Sequence, residues 1–255
     1  MNSKININKI INDQTYHCLR FHKKTELHKF NIEFDPKDWP KEWKDIYYKS
    51  YVRLPFIKLP TPLLKKKISL KKVLQERRSQ RIFNNTKITK RQLSTLFYYS
   101  AGIKNKNISG AQEYNRFYPS AGARYPLEIY AISLNTELSS GLYHYCLKIN
   151  GLECLLHEKI FIDPFFNQKW VKKSSMLIVI TAFFQRSLVK YGERGYRYCL
   201  LEAGHVCQNI SLISEAVGLV SCQIGGYIDT KLNNLLDIDG LNETVISVIA
   251  IGNKI

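Results

Sequence analysis

The amino-acid sequence predicts an α+β fold, and three observations lead to that class. Apolar residues recur at helical spacing over residues 70–102 and again over 197–218. Short apolar or alternating runs at 126–134, 174–184 and 244–252 are typical of strands. Helices and strands are mixed without strict βαβ alternation, and no G-x-G-x-x-G or P-loop motif is present, which excludes Rossmann and P-loop folds.

The first core helix is predicted to begin after Ser69, in the stretch SLKKVLQERRSQR. Serine is a favoured N-cap residue, and Leu70, Val73 and Leu74 follow it at helical spacing.

The second core helix has a stronger start signal, because Thr89 and Gln92 form a capping-box pattern. Gly102 is expected to end this helix in the left-handed conformation. The residues predicted to share its apolar face are Leu93, Leu96 and Phe97.

The later segments differ in their predicted burial. Pro126–Leu134 alternates as a half-buried strand, whereas Ser174–Phe184 is typical of a fully buried one. Asn150-Gly151, between two short apolar runs, predicts a β-hairpin. A long helix over Arg197–Gly218 and a closing strand over Thr244–Gly252 complete the core.

Residues 1–60 are irregular, with many aromatic side chains and prolines, as in FDPKDWPKEWKDIYY. We expect them to form an extension that wraps over a single domain of residues 61–255.

The composition is that of a folded protein without a membrane segment. Apolar residues make up 45% of the chain, and the longest apolar run, Met176–Phe184, is far shorter than the roughly 20 residues that a bilayer requires. The start, MNSKININKI, lacks the apolar core of a signal peptide, so a cytoplasmic protein is expected. The six cysteines form no C-x-x-C pair and no zinc-spaced cluster, so no metal site is predicted.

The net charge of +17 has two interpretations. It could mark a surface for nucleic acid or an acidic partner, or reflect a composition rich in lysine, asparagine and isoleucine. Because the lysines are spread along the chain and no RNA-binding signature is present, nucleic acid is not an expected partner. An acidic partner stays open.

Three segments have residue types suited to a ligand. In RRSQR, the side chains of Arg77, Arg78, Ser79 and Arg81 could bind a phosphate or an electron-rich ring through forked hydrogen bonds. Taken alone, the segment is more typical of a solvated basic helix end.

The second segment is the small-residue turn of Pro119, Ser120, Ala121 and Gly122, where a ligand can lie against backbone amides. An ordinary turn before a strand explains it equally well.

The third segment, CQIGGYID, contains Gly225 and Gly226, which would allow close approach of a flat ligand and a positive φ. Paired glycines also mark turns in general.

The stretch KYGERGYRYCLLEAGHVCQN begins as a charged loop and continues as an apolar helix. By themselves, Lys190 and Tyr191 are typical of an exposed loop. Glycine in mid-helix costs about 1 kcal/mol relative to alanine, so we expect Gly204 to allow close packing against a neighbour. The polar residues expected at helix or subunit contacts on the same helix are Glu202, His205, Gln208 and Asn209.

In this order, RRSQRIF, PSAGARYPLEIY, GLYHY, KYGERGYRYCLLEAGHVCQN and IGGYID resemble the nitroreductase-like flavin superfamily. Within it, they resemble the SagB-type or McbC-like dehydrogenases of thiazole/oxazole-modified peptide synthesis. The resemblance runs from about residue 69 to the end of the sequence. It implies a nitroreductase-like fold with a mixed sheet flanked by helices, and a homodimer with FMN at the subunit interface.

The resemblance also implies roles for individual residues. The arginine-serine segment would hold the phosphate and polar edge of FMN, the small-residue turn would contact the flavin from the partner subunit, and the glycine pair would lie against the isoalloxazine. The residues assigned to the cofactor in this way are Arg77, Arg78, Ser79, Arg81, Pro119, Ser120, Ala121, Gly122, Gly225 and Gly226.

The activity implied is the oxidation of peptide azolines to thiazoles or oxazoles. A proton leaves one ring carbon and a hydride leaves the next, and the resemblance implicates Lys190 as the base, with Tyr191 relaying the proton or orienting the lysine. Because an ordinary lysine, with a pKa of about 10.4, is mostly protonated, we expect a closed, partly apolar pocket or a neighbouring arginine such as Arg194 to lower its pKa.

The expected partners are a second copy of the chain, cyclodehydratase or other synthetase subunits, and an azoline-containing peptide. Three alternatives stay open: oxidation of a carrier-bound thiazoline in nonribosomal synthesis, an NAD(P)H-dependent nitro- or flavin reductase, and a flavin-free structural subunit. A Lys-Tyr base has no evident use in reductase chemistry. Arg124 departs from the family pattern, which commonly has leucine there, and predicts a different dimer contact or substrate mouth.

Overall fold

The computed structural model describes residues 17–27, 38–44, 48–64, 68–104 and 115–255. The N-terminal segment MNSKININKI, residues 1–10, lies outside the described residues.

Seven α-helices are found in the part of the chain that the structure describes. They are α1 (His17–Lys24), α2 (Lys41–Lys44), α3 (Leu70–Glu76), α4 (Lys90–Ala101), α5 (Gln185–Tyr191), α6 (Arg194–Ala216) and α7 (Asp229–Leu235). Residues 1–60, predicted to be irregular, contain α1 and α2; their wrapping over the domain of residues 61–255 stays a prediction. None of these helices has the length and apolar content needed to cross a bilayer.

Seven described strands form one sheet in the order β1-β4-β3-β2-β5-β7-β6. They are β1 (Phe56–Lys58), β2 (Leu127–Ser133), β3 (Gly141–Cys146), β4 (Gly151–Leu156), β5 (Met176–Phe183), β6 (Leu219–Ile224) and β7 (Glu243–Asn253). Every pairing between these strands is antiparallel, so the predicted mixed sheet was wrong. Between β2, β3 and β4 the chain reverses through short connections, which antiparallel neighbours permit.

The helix starts predicted from capping residues are confirmed. The Lys72 N–H donates to Ser69 Oγ at 3.4 Å, and Thr89 and Gln92 form both hydrogen bonds of the capping box. The predicted end of α4 was wrong, because Gly102 is extended, with φ −69°. The chain leaves the helix in this direction because Ile103 forms a β-bridge with the segment at Arg116.

The predicted hairpin is present, with β3 and β4 paired around Asn150 and Gly151. Its connection is longer than a two-residue turn, because a 3₁₀ turn over Leu147–Ile149 precedes Asn150, which has φ 43°.

Helices cover one face of the sheet and a second apolar layer covers the other. Ile129 and Ala131 of β2 belong to the layer packed with α4 and α6, whereas Tyr130 and Ile132 belong to the layer that includes Leu232 of α7. All of β2 is therefore buried, rather than half-buried as predicted. The predicted apolar face of α4 is confirmed by the burial of Leu93, Leu96 and Phe97.

The apolar residues of α3 are mostly outside this core. Val73 is buried, but Leu70 and Leu74 are 66% and 53% exposed. Their exposure leaves an apolar surface on the side of the chain that bears the arginine-serine segment.

Candidate active site

The turn before β2 is held in a strained backbone conformation. Gly122 has φ 56°, and two residues with side chains, Ala123 and Tyr125, also have positive φ, at 50° and 47°. Ser120 Oγ accepts a hydrogen bond from the Tyr125 N–H at 2.9 Å and donates one to Glu202 at 2.5 Å. Strain of this kind costs roughly 1–3 kcal/mol per residue and is concentrated at functional sites.

Lys190 and Tyr191 are the last two residues of α5, so the predicted loop at this position was wrong. Both side chains are half-buried and reach the turn. A Cβ atom placed on Gly122 would collide with Tyr191 Oη and would lie 3.1 Å from Lys190 Nζ. The structure thus brings together the Lys-Tyr pair and the small-residue turn, which are far apart in the sequence.

The surroundings of the pair lower the pKa of Lys190. Burial is the main cause, and the charge of Arg124 adds to it. Burial raises the pKa of Tyr191, and Tyr198, whose ring lies edge-on at 5.0 Å, acts in the same direction. The expectation that Arg194 lowers the pKa of Lys190 was wrong. Arg194 donates instead to Tyr198 Oη and to the Thr25 carbonyl oxygen.

Two tryptophans from the N-terminal region cover the lysine. Lys190 Nζ lies 3.3 Å from the centroid of the Trp39 ring and 5.6 Å from that of Trp43. These two tryptophans were not among the predicted site residues. The only signal was the aromatic content of FDPKDWPKEWKDIYY, which has no periodicity to indicate where the rings point.

Arg124 connects the tryptophan segment to α5. It is 2% exposed, and it donates hydrogen bonds to the carbonyl oxygens of Arg186, Trp43 and Glu42 at 2.6, 2.6 and 2.9 Å. Arg124, at the position where the family commonly has leucine, therefore has a structural role within the chain.

Glu202 of α6 is a buried carboxyl group directly beneath the turn. Its Oε2 accepts the Ser120 hydrogen bond, whereas Oε1 has no hydrogen-bond partner among the residues that the structure describes. Burial raises the pKa of Glu202 to about 8, although Ser120, Arg116 and Arg186 oppose the shift. Asn209 on the same helix meets the expectation of a helix contact, because its Nδ2 donates to the carbonyl oxygens of Ser100 and Phe117.

A buried network of ionisable side chains fixes α5 on the sheet. Arg186 pairs with Glu128 at 2.5 Å, and His144 lies between Glu128 and Glu153 at 3.1 and 2.8 Å. Burial opposes ionisation of Glu128, but the hydrogen bond from His144 and the charge of Arg186 lower its pKa to about 2. Since Arg186 is one turn before Lys190, this network sets the position of the Lys-Tyr pair.

A cavity of about 790 Å³ opens beside the turn, and five of its eleven lining residues are aromatic. Arg116 on its wall is 3% exposed, and its Nε and Nη2 atoms have no hydrogen-bond partner in the described part of the chain. The lining residues are Tyr98, Tyr99, Lys104, Asn115, Arg116, Phe117, Tyr118, Pro119, Ser120, Ala123 and Tyr125.

The remaining predicted site residues form a second group at the β6 edge of the sheet. Ser79 forms a β-bridge with Ser221, and the guanidinium of Arg81 lies 5.8 Å from the ring centroid of Trp170. Arg78, Ser79 and Arg81 are exposed and Arg77 is half-buried.

The glycine pair follows β6 and is exposed. Neither Gly225 nor Gly226 has a positive φ, so that expectation was wrong. A Cβ atom at Gly225 would meet nothing within 4 Å, whereas one at Gly226 would meet Gln168 Nε2 at 2.7 Å.

A Cβ atom at Gly204 would also meet nothing within 4 Å among the described residues. Its packing against a partner subunit stays a prediction. Within the part of the chain that the structure describes, no group of three or more His, Cys, Asp or Glu side chains could hold a metal ion.

A family model described as the nitroreductase family matches residues 74–253. The chain belongs to the nitroreductase family. This nitroreductase-family chain is 29% identical over 192 residues to a protein of Methanocaldococcus jannaschii named as a nitroreductase, a match that covers 74% of this chain and 92% of the relative.

Two further relatives are named as peptide-processing proteins. The microcin B17-processing protein McbC of Escherichia coli is 31% identical over 133 residues, which is 49% of each chain. The trifolitoxin-processing protein TfxB of Rhizobium leguminosarum bv. trifolii is 25% identical over 170 residues, 61% of this chain and 44% of the relative. The matches therefore span about half of each of these two proteins.

Solved structures show the same fold. A protein of Anabaena variabilis named as a nitroreductase superposes with a TM-score of 0.68 at 28% identity, over 92% of this chain and 46% of that one. A chain of the E. coli microcin synthetase McbBCD complex superposes with a TM-score of 0.58 at 20% identity, over 93% and 92%. The predicted α+β, nitroreductase-like fold and the resemblance to McbC-type proteins are confirmed.

Proposed function

We propose that this nitroreductase-family protein is an FMN-dependent dehydrogenase that oxidises azolines in a ribosomally made peptide to thiazoles or oxazoles. The observation that supports it best is the approach of Lys190 and Tyr191 to Gly122, which gathers a base and a strained turn in one place. The likeness to McbC and TfxB, both named as peptide-processing proteins, supports the class of substrate.

Lys190 would act as the base that removes the ring proton. Its lowered pKa increases the fraction of neutral amine near neutral pH, and only the neutral amine can accept a proton. Tyr191 has a raised pKa, so its hydroxyl stays protonated and can donate a hydrogen bond to the substrate or to the lysine. Together the two side chains would orient the ring and hold the abstracted proton.

The β6 edge fits FMN. Arg77, Arg78 and Arg81 supply guanidinium groups of the kind that bind phosphate, and the open face of Gly225 leaves room for a flat ring. When bound, FMN supplies the acceptor for the hydride that leaves the adjacent ring carbon. Ser79 and Gly226 would complete this half of the site.

The small-residue turn would supply the other half, from the partner subunit of a homodimer. This assigns contacts with FMN to Pro119, Ser120, Ala121 and Gly122. The exposed leucines of α3 and the open face of Gly204 are consistent with a subunit contact.

The proposal extends to location and assembly. The protein would act in the cytoplasm with cyclodehydratase subunits that make the azoline, and residues 1–60 would wrap the domain of residues 61–255. Its likeness in fold to a chain of the McbBCD complex, whose structure contains a bound truncated pro-MccB17, supports an assembly of this kind.

The test is the mass of an azoline-containing peptide before and after incubation with the purified, FMN-loaded protein. Aromatisation removes a pair of hydrogens per ring. Lys190→Ala should lower the rate by about 10²–10⁴-fold while FMN content stays unchanged, and Lys231→Ala, at an exposed lysine of α7, is the matched control. Unchanged azole formation by Lys190→Ala would contradict the proposal.

An NAD(P)H-dependent nitro- or flavin reductase is the second candidate. The M. jannaschii relative favours it, because that match covers 92% of a protein named as a nitroreductase. Reduction of a nitroaromatic compound by NAD(P)H, equal in the wild type and in Lys190→Ala, together with no change in peptide mass, would favour this candidate.

A further inference from the structure

The N-terminal segment of residues 38–44 supplies one wall around Lys190. The Trp39 ring lies directly under the amine, 3.3 Å from its nitrogen, and Trp43 lies edge-on to Trp39, with ring centroids 6.3 Å apart. Gly122 lies on another side of the same amine. The lysine is therefore held between a strained turn and an indole face.

Specific hydrogen bonds fasten this wall to α5. The Trp43 Nε1–H donates to the Val189 carbonyl oxygen at 3.1 Å, one residue before the lysine. Arg124 adds bonds to the segment, at Glu42 and Trp43, and to α5, at Arg186. The segment is thus attached to the backbone of the helix that bears Lys190, and not only packed against its side chain.

A free lysine side chain has four rotatable bonds and about 2 kcal/mol of rotamer entropy to lose when it is ordered. An indole face is the best aromatic surface for an ammonium group, and in either charge state of the lysine it excludes water from one side of the nitrogen. Such a surface would select rotamers of Lys190 that keep the nitrogen beside Gly122.

We propose that Trp39 is a positioning residue for Lys190, and that the segment 38–44, fastened by Trp43 and Arg124, forms part of the active site. This proposal deepens the proposed function and rests on it for the role of Lys190. If Trp39 only packed against the surface, its replacement would change stability without changing the behaviour of the lysine.

The test compares Trp39→Leu with Trp39→Phe, which keeps an aromatic face. The control is Phe161→Leu, because Phe161 is 69% exposed and has the amine of Lys159 over its ring at 5.6 Å. This control removes an aromatic surface from a lysine that is outside the site.

Two readouts are needed. For azoline oxidation by the FMN-loaded protein, kcat of Trp39→Leu should fall by about 10- to 100-fold, as misplacement of a reacting group predicts. KM and FMN content should stay near wild type, and Trp39→Phe should recover part of the loss. Separately, the pH-dependent rate at which a small acylating reagent modifies Lys190, followed by peptide mass spectrometry, should rise several-fold in Trp39→Leu and stay unchanged in Phe161→Leu.

Equal acylation of Lys190 in the wild type, Trp39→Leu and Trp39→Phe would overturn the positioning role. The acylation rate of Lys190 could change in the Trp39 variants while neither the wild type nor any variant oxidises azolines. That result would support the positioning role and would contradict the proposed function. If Trp39→Leu does not fold, the acylation rate of Trp39→Phe decides: a rate above that of the wild type supports the positioning role, and a rate equal to it overturns that role.

Discussion

Gly122 lies directly against Tyr191, so that no side chain can be added at position 122 without displacing the tyrosine hydroxyl. This contact joins the small-residue turn before β2 to the end of α5. Glycine is required there for two separate reasons, the positive φ of 56° and the lack of space.

Gly122→Ala should therefore lose both stability and activity. A matched control is Gly218→Ala, because Gly218 has φ 76° but would place its Cβ atom in open space. Both substitutions should cost about 1–2 kcal/mol for the left-handed conformation. Only Gly122→Ala should also displace Lys190 and Tyr191, and we expect about a 10²-fold lower rate of azoline oxidation. Urea unfolding and single-turnover rates would separate the two effects, and equal rates in both variants would argue against the contact.

Arg124→Leu should release the tryptophan segment from α5. The loss leaves three carbonyl oxygens without their donor, so we expect a free energy of unfolding lower by roughly 2–5 kcal/mol. The pKa of Lys190 should rise toward its ordinary value, which moves the rising limb of the pH–rate profile to higher pH. Emission from the protein's three tryptophans should shift to the red. Arg53→Leu, at an exposed arginine, should change none of these measurements.

Glu202→Gln should alter the pH dependence of stability. The pKa of Glu202 is about 8 in the folded protein and 4.5 in the ordinary reference state. The folded state therefore holds the proton more tightly, and this stabilisation is complete below about pH 4.5 and is lost as the pH rises through about 8. Glutamine does not titrate, so the variant does not lose stability in this way. Its stability relative to wild type should therefore increase from about pH 5 to about pH 8, the range between the two pKa values of Glu202. A constant difference in urea unfolding over that range would contradict the buried, protonated carboxyl.

Glu128→Gln should show the opposite pH dependence. Glu128 has a folded pKa of about 2, below its ordinary 4.5, so its stabilising charge is present above about pH 4.5 and is lost as the pH falls through about 2. The variant should be less stable by roughly 3–5 kcal/mol near neutral pH, because Arg186 loses its buried partner. The difference should shrink as acid protonates the wild-type carboxyl. Unfolding curves at neutral and acidic pH test this, and a difference that grows in acid would refute it.

The amino-acid sequence by itself determined the α+β class, the starts of the first two core helices and the resemblance to the nitroreductase family, and it singled out Lys190, Tyr191 and the small-residue turn as candidate site residues. These follow from local patterns, such as the capping box at Thr89 and Gln92, that a short stretch of chain contains completely. The tertiary structure alone decided the antiparallel sheet and the burial of both faces of β2. It also brought Lys190 and Tyr191 to Gly122. Near the lysine, it placed Arg124 rather than Arg194 as the neighbouring charge and Trp39 as the cover. Each of these depends on contacts between residues that are distant in the sequence, and neither periodicity nor motif spacing specifies which distant side chains share a surface.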